Sequence, residues 1–266
     1  MVEFCFNAFN QSRYVGGKVD LPTQIDAAAA AGFKYFGPDM YSLRAWLADG
    51  HSLQMLSDRL AMHDMRCWEI AAGLMLVDRR GAVATATELA SVASQLQPIW
   101  VQINVGTAVD WEAKVALSDV CDILRPAGAK VAIEYLPFTP LRSIPETYWL
   151  VGQVGLDRAG ILIDSWHHFR GSDGIAELDA VPLAAIAYVQ FDDALPAVSS
   201  DLQDETLHRR TFPGEGEFDL RGFCDRLKSK GFNGTVSVEV LNAGWRERDI
   251  FEFARRAYET SAAFWS

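Results

Sequence analysis

The chain has 266 residues, half of them hydrophobic and 22% charged, enough for one large α/β core and slightly long for a typical single domain. Its formal net charge of -11 argues against binding a nucleic-acid backbone, which needs clustered Lys and Arg. No run approaches the roughly 18 consecutive apolar residues of a membrane span, the N-terminal residues lack a secretory pattern, and Cys5, Cys67, Cys121 and Cys224 form no C-x-x-C pair. The expectation is a cytoplasmic protein with reduced, buried cysteines, acting on small molecules and not on nucleic acid or membrane.

Strand-like and helix-like segments alternate along the chain. Val2 to Phe9 reads as the first strand. Leu21 to Gly32 reads as the first helix, with Asp20 as N-cap, Pro22 in the first turn and Gly32 closing it. Lys34 to Asp39 is the second strand, Ser42 to His63 one helix or two broken near Asp49-Gly50, and Arg66 to Ala71 the third strand. Arg80 to Leu96, with apolar positions at helical spacing, ends before Pro98 and the strand Ile99 to Val105. Trp111 to Leu124 is helical. Two apolar runs follow, Val131 to Leu136 and Gly160 to His168, read as buried strands with the helix Ser143 to Val154 between them. Gly174 to Ala180 is a short helix and Ile186 to Asp193 the seventh strand. Ala194 to Phe218 has no period and contains Pro196, Pro213, Gly214 and Gly216, so it reads as a long functional loop of the lid type. Leu220 to Lys230 is an amphipathic helix ended by Gly231, Thr235 to Leu241 the eighth strand, and Asp249 to Phe264 the last helix. Aromatic residues on that helix face either the core or a partner subunit, and a homodimer is expected.

Eight strand-helix units in roughly 250 residues are the signature of a single closed (β/α)₈ TIM barrel over residues 1–266; a doubly wound open sheet is the competing topology. A barrel places its active site at the C-terminal ends of its strands. Glu134, Asp164, Gln190 and Glu239 all stand late in four consecutive strands, where an ionised carboxylate is costly without a cation. Singly, each reads as a strand-end polar residue. Together they are expected to ligate one divalent metal ion. Three carboxylates and an amide oxygen suit Mn²⁺ or Mg²⁺, with Zn²⁺ or Co²⁺ as further options.

Such an ion would acidify the hydrogen next to a ketone, and a carboxylate on each side could remove and return the proton. Glu134 and Glu239 are the expected catalytic pair, with His167 assisting at oxygen. Return of the proton to the neighbouring carbon is isomerisation, return to the opposite face epimerisation, and loss of a β-hydroxyl dehydration. Asn104 and Glu69, late in their strands, are candidates for substrate contact, and Trp68 and Trp166 for the pocket wall.

The blocks Ile133-Glu-Tyr-Leu-Pro-Phe138, Asp164-Ser-Trp-His167, Val189-Gln-Phe-Asp-Asp193, Arg210-Thr-Phe-Pro-Gly-Glu-Gly216 and Val236-Ser-Val-Glu239 resemble the xylose isomerase-like barrels, a group that includes sugar isomerases, ketose 3-epimerases, inosose-processing enzymes and some 3-dehydroshikimate dehydratases. The resemblance covers nearly the whole chain. It implies metal ligation by Glu134, Asp164, Gln190 and Glu239, His167 facing a substrate oxygen, and Arg210 binding a substrate oxygen or anionic group. The chain departs from several relatives in having Gln190 where they have His, and from ketose 3-epimerases in having Pro137-Phe-Thr-Pro140 where they carry a further Glu. The implied activity is a divalent-metal-dependent sugar, keto-sugar or sugar phosphate isomerase or epimerase acting on a small sugar or hydroxyketone, with a 3-dehydroshikimate-type dehydratase as the alternative. An abasic-site endonuclease on the same fold needs more His ligands and a basic face, and is excluded. A metal-stabilised barrel without catalysis is the remaining reading.

Overall fold

Apolar runs of strand length and Ala/Leu-rich runs of helical period follow one another, and each helix folds back over the sheet it leaves. The computed structural model describes residues 2–266. The strands are β1 (Glu3–Asn7), β2 (Tyr35–Gly37), β3 (Arg66–Cys67, resuming at Glu69–Leu76), β4 (Trp100–Val105), β5 (Lys130–Glu134), β6 (Ala159–Asp164), β7 (Ile186–Phe191) and β8 (Thr235–Val238). Around them lie α1 (Leu21–Ala31), α2 (Met40–Ala48), α3 (Leu53–Met62), α4 (Arg79–Leu96), α5 (Trp111–Leu124), α6 (Ile144–Val154), α7 (Ser165–Arg170), α8 (Ile175–Ala180), α9 (Leu202–His208), α10 (Leu220–Ser229) and α11 (Ile250–Trp265).

All neighbouring barrel strands pair in parallel, and β1 joins β8 with Glu3 opposite Thr235. The ring closes through β3: its first piece pairs with β2, its second with β4. Trp68, between the pieces, donates its N–H to Phe36 O and accepts from Trp100 N, so the break spans the seam. The helix starts follow the sequence closely. Asp20, Asp39, Ser52, Asp78, Asp110, Ser143, Asp164, Asp201, Asp219 and Asp249 each accept a backbone N–H of the first turn, worth about 1 kcal/mol apiece. Gly32 ends α1 at φ +102°, a conformation a side chain would strain.

Several boundaries differ from the sequence expectation. The expected strand Gly160–His168 stops at Asp164, whose carboxylate caps α7, so His167 and His168 stand on a helix. The first strand stops at Asn7, where the Asn7 side chain caps a 3₁₀ turn, Ala8–Gln11. The expected loop 194–218 contains α9 and a two-stranded ribbon that pairs Asp193–Ala194 with Arg210–Thr211. The third strand runs past Ala71 through a bulge between Ile70 and Leu74, with Ala72 at φ +45°.

Phe253 and Trp265 of α11 are buried, and Tyr258 packs edge-on against Phe4 and Phe33, so most of the last helix's aromatic surface covers the barrel. Among the described residues no helix is long and apolar enough to cross a membrane. All four cysteines are free and buried.

Candidate metal centre and active site

Strand alternation builds the site. Ala132, Leu162 and Tyr188 form a small cluster inside the barrel, and the residues two positions on, Glu134, Asp164 and Gln190, continue the same inward face toward the mouth. Glu239 follows Ser237 in the same way, just beyond the end of β8. All four site residues are buried.

Glu134 is held on one oxygen: Oε2 accepts from Gln102 Nε2 at 2.6 Å and Asn104 Nδ2 at 2.8 Å. Gln102 Oε1 in turn accepts the N–H of Ala72 at 2.9 Å, so the β3 bulge is tied to Glu134 through one amide. Asp164 Oδ1 accepts His167 N at 2.9 Å, and Oδ2 accepts Arg210 Nη1 at 2.8 Å. Glu239 Oε1 accepts Asn7 Nδ2 at 3.0 Å and Gln190 Nε2 at 3.3 Å, while its Oε2 lies 3.2 Å from Arg210 Nη1. His167 Nε2 stands 3.4 Å from both Glu134 Oε1 and Arg210 Nη2.

Two observations test whether these residues suit a cation. With its Nε2 on Glu239, Gln190 turns its Oε1 to 2.9 Å from Glu134 Oε1 and 3.2 Å from Asp164 Oδ2. Three acceptors facing one another have no proton to share, and a cation among them satisfies all three. The opposite amide orientation would satisfy the same atoms by hydrogen bonds, accepting from Asn7 Nδ2 at 3.0 Å. Ligand atoms of Glu134, Asp164 and His167 also lie within 4.8 Å of one another.

The second observation is charge. Arg210 Nη1 reaches Asp164, Asp192 and Glu239 at once, and one guanidinium cannot neutralise them together with Glu134. Burial raises all three carboxyls it meets, but beside Arg210 and His167 Asp164 stays below the usual range. Burial wins at Asp192 and Glu239, which are pushed well above it, Glu239 further by Glu134 and Asp164. Burial works against the Arg210 charge as well, yet the three acids raise it further. The donor set therefore fits a divalent cation, which Glu134, Asp164, Gln190 and Glu239 would hold with His167 in reach.

A cavity of about 150 Å³ opens above this ring, and Glu134, Glu239, His167, Arg210 and Asn104 all line it. Phe9, Tyr14 and Tyr41 form a ladder of rings along one wall, with centroids 6.0 and 4.7 Å apart. Gln203, Thr206 and Leu207 of α9 also line it, so the segment read as a long functional loop contributes to the cavity wall.

Trp166 was expected to touch substrate and does not line the cavity. It is 1% exposed and lies behind Arg210, its ring centroid 5.8 Å from the guanidinium carbon, because on α7 side chains turn about 100° per residue instead of alternating, so Trp166 does not share the inward face of Asp164. Glu69 also makes no contact with the cavity; it is buried one layer below. Arg210 reaches the cavity, but Thr206 Oγ1 at 2.8 Å and the acids occupy its donors. Sequence reading missed Asn7, Gln102 and Asp192, although Asn7 and Gln102 share the inward parity of their strands. Asp193 was quoted without a role. Its carboxylate accepts the N–H groups of Gly214, Gly216 and Phe218 and so folds the Pro-Gly-Glu-Gly turn that follows Arg210.

A parallel barrel with oxygen-bearing side chains converging at the C-terminal ends of its strands is the architecture of TIM-barrel enzymes. Residues 25–265 match the xylose isomerase-like TIM barrel family, and the chain belongs to it. The inosose isomerase of Bacillus velezensis is 26% identical over 278 residues, 98% of this chain and 96% of that protein. The 3-dehydroshikimate dehydratase of Pseudomonas aeruginosa is 34% identical over 123 residues, 45% of this chain and 19% of that protein. Among solved structures, the IolI protein with a zinc atom superposes with a TM-score of 0.86 at 22% identity, over 100% of this chain and 98% of that one. D-allulose 3-epimerase from Methylomonas sp. superposes with a TM-score of 0.74 at 16% identity, over 99% and 98%. Both superpositions show the fold. The relatives matched along most of the chain are isomerases, and this chain is an enzyme of the isomerase and epimerase kind.

Proposed function

We propose that the protein is a divalent-metal-dependent isomerase or epimerase of an uncharged ketose or cyclic polyol ketone. The observation that carries this reading is the convergence of three buried carboxyls, Glu134, Asp164 and Glu239, with His167 in reach beneath a small cavity, more negative charge than Arg210 alone can neutralise. When bound, the ion supplies Lewis acidity to a ketone and its neighbouring hydroxyl. Mn²⁺ or Mg²⁺ suits four oxygen donors; the nearby imidazole of His167 makes Zn²⁺ and Co²⁺ the other ions to test.

The chain's own residues supply the proton transfers. Glu134 and Glu239, three strands apart around the ring, both line the cavity and flank a substrate between them. Glu239 takes the α-proton and Glu134 returns one, or the reverse, since both carboxyls stand at the reacting face. Gln102 and Asn104 hold Glu134 Oε2 and so fix the plane of that carboxylate. His167 holds the proton at the substrate oxygen, and the Phe9, Tyr14 and Tyr41 rings give a sugar or cyclitol ring an apolar wall.

Charge selects the substrate class. Arg210 is committed to acids and to Thr206, Arg209 turns to Glu205 at 3.0 Å and to Pro196 O, and no Lys lines the cavity. Among the described residues lining the cavity a phosphate or carboxylate would find no uncommitted Lys or Arg besides the ion itself, which favours a neutral ketone over 3-dehydroshikimate, itself a carboxylate. The 34% identity to a dehydratase over part of the chain supports lyase chemistry as the second reading.

The test is proton NMR in D₂O on protein stripped of metal and reloaded with Mn²⁺, Mg²⁺, Co²⁺ or Zn²⁺, over a panel of inososes and ketoses. Solvent deuterium appearing at the α-carbon without loss of water is expected. Glu134→Gln and Glu239→Gln should each lower that rate by about 10²–10⁴-fold. A vinylic signal would mean the lyase, and bound metal without exchange in any ketone would overturn both readings.

A further inference from the structure

One layer below the carboxylate ring, the barrel interior holds a second acid outside the cavity. Glu69 is fully buried on β3, and among the described residues no Lys or Arg pairs with it. Tyr188 OH donates to its Oε2; Ser237 Oγ, Asn7 Nδ2 at 3.4 Å and Cys5 Sγ at 3.8 Å donate to its Oε1. These donors come from β1, β7 and β8. The acid also rests on bare backbone: a Cβ on Gly37 would stand 2.5 Å from Glu69 Cγ.

Stability does not explain this arrangement. Barrel interiors are ordinarily filled by branched apolar side chains, and a buried carboxyl without a cation is costly. Burial, with the nearby Glu134 charge, pushes the Glu69 carboxyl up to about 7, against the pull of Ser237 and Tyr188. What Glu69 holds is Asn7. Asn7 Oδ1 accepts Phe9 N at 2.8 Å, which fixes the plane of the amide, and Nδ2 then faces two carboxyls, Glu69 Oε1 and Glu239 Oε1 at 3.0 Å. Glu239 Oε1 is thereby committed to amides, and Oε2 is the oxygen left on the side of Arg210.

We propose that Glu69 is a positioning residue: through Asn7 it fixes the Glu239 carboxylate, so that proton transfer uses one defined oxygen. The proposal rests on the reading of Glu239 as acid and base given above. It concerns only the orientation of that group, since Glu69 touches neither the cavity nor the four oxygen residues.

The test compares Glu69→Gln, Glu69→Leu and Gly37→Ala with wild type, each loaded with metal and assayed for bound metal, KM and kcat of solvent exchange. Gly37→Ala changes no residue of the cavity, and its Cβ meets Glu69 first, 2.5 Å from Cγ. It and Glu69→Leu should lower kcat by about tenfold or more, with KM within about twofold and bound metal unchanged, since small misplacements of a reacting group cost about that much. Glu69→Gln, which keeps an oxygen for Asn7, should recover most of the rate. An unchanged kcat in Gly37→Ala, or a fall that follows lost metal or KM alone, overturns the proposal.

A second readout needs no turnover. The side-chain amide resonance of Asn7 in ¹⁵N-labelled protein should move in Glu69→Leu and also in Glu239→Leu, each of which removes one acceptor of its Nδ2. Movement in only one overturns the bridge even if no ketone proves to be a substrate, whereas movement in both with no exchange anywhere leaves the bridge standing and removes the isomerase reading.

Discussion

Arg210 stands where three elements deliver an acid to the same point: Asp164 from the end of β6, Asp192 from just beyond β7, and Glu239 from beyond β8. Removing one partner of a buried ionic group costs more than the group contributed, because the remaining charges are left desolvated. Arg210→Gln is therefore expected to destabilise the metal-free protein by about 3–5 kcal/mol in urea unfolding. Divalent metal should then raise the unfolding midpoint more in the variant than in wild type, as the ion takes over part of the guanidinium's charge. An equal metal effect in both proteins would show that the guanidinium and the ion do not share the same acids. Residue by residue, the four converging residues Glu134, Asp164, Gln190 and Glu239 were legible because each is a polar group ending an apolar run. Asn7 and Gln102 were harder to see: their partners lie 232 and 32 positions away, and only the inward parity of β1 and β4 marks them.

At the scale of elements, α7 shows how one boundary redirects several side chains. Because Asp164 caps a helix where an extended strand had been expected, His167 turns to Glu134 and Arg210 while His168 enters an aromatic pocket against Phe169 and Phe223. Burial there lowers the His168 pKa to about 4, against the pull of Glu177. The folded chain thus refuses a proton that the unfolded chain accepts near 6.5. The associated stability is fully present above pH 6.5 and is lost as pH falls from 6.5 toward 4, by roughly 3 kcal/mol at most. Urea unfolding at pH 7.5 and pH 4.5 should show this loss in wild type and a smaller one in His168→Leu; identical losses would place the acid sensitivity elsewhere. The helix α9 was hidden in sequence for a different reason. It is seven residues long, too short to display a period, and it is held by buried Glu205 accepting the N–H groups of Val198 and Ser199, which composition does not reveal.

For the whole molecule, a site that exists only in the folded ring couples metal binding to folding. At a free ion concentration near 100 times Kd the gain is about 2.7 kcal/mol, which for a chain of this size raises Tm by roughly 5–10 °C. Calorimetry of chelator-treated protein before and after adding each ion checks this, and no shift with any of them would count against the metal. The eight-unit architecture was legible because strand and helix periods alternate with clear caps, whereas the closure at Trp68 was not, because no local signal says that one strand will pair on both sides in two pieces. The pairing of β1 with β8 also sets the order in which the molecule can be made. The hydrogen bond from Asn7 to Glu239 joins residues 232 apart, so it is a contact of very high sequence separation and pays its loop-closure cost late. On the ribosome, the strands that carry Glu134, Asp164 and Gln190 emerge well before Glu239, and until then no arrangement of the nascent chain presents the full ligand ring. Assembly of that four-residue ring and closure of the barrel through β1 and β8 are therefore one event.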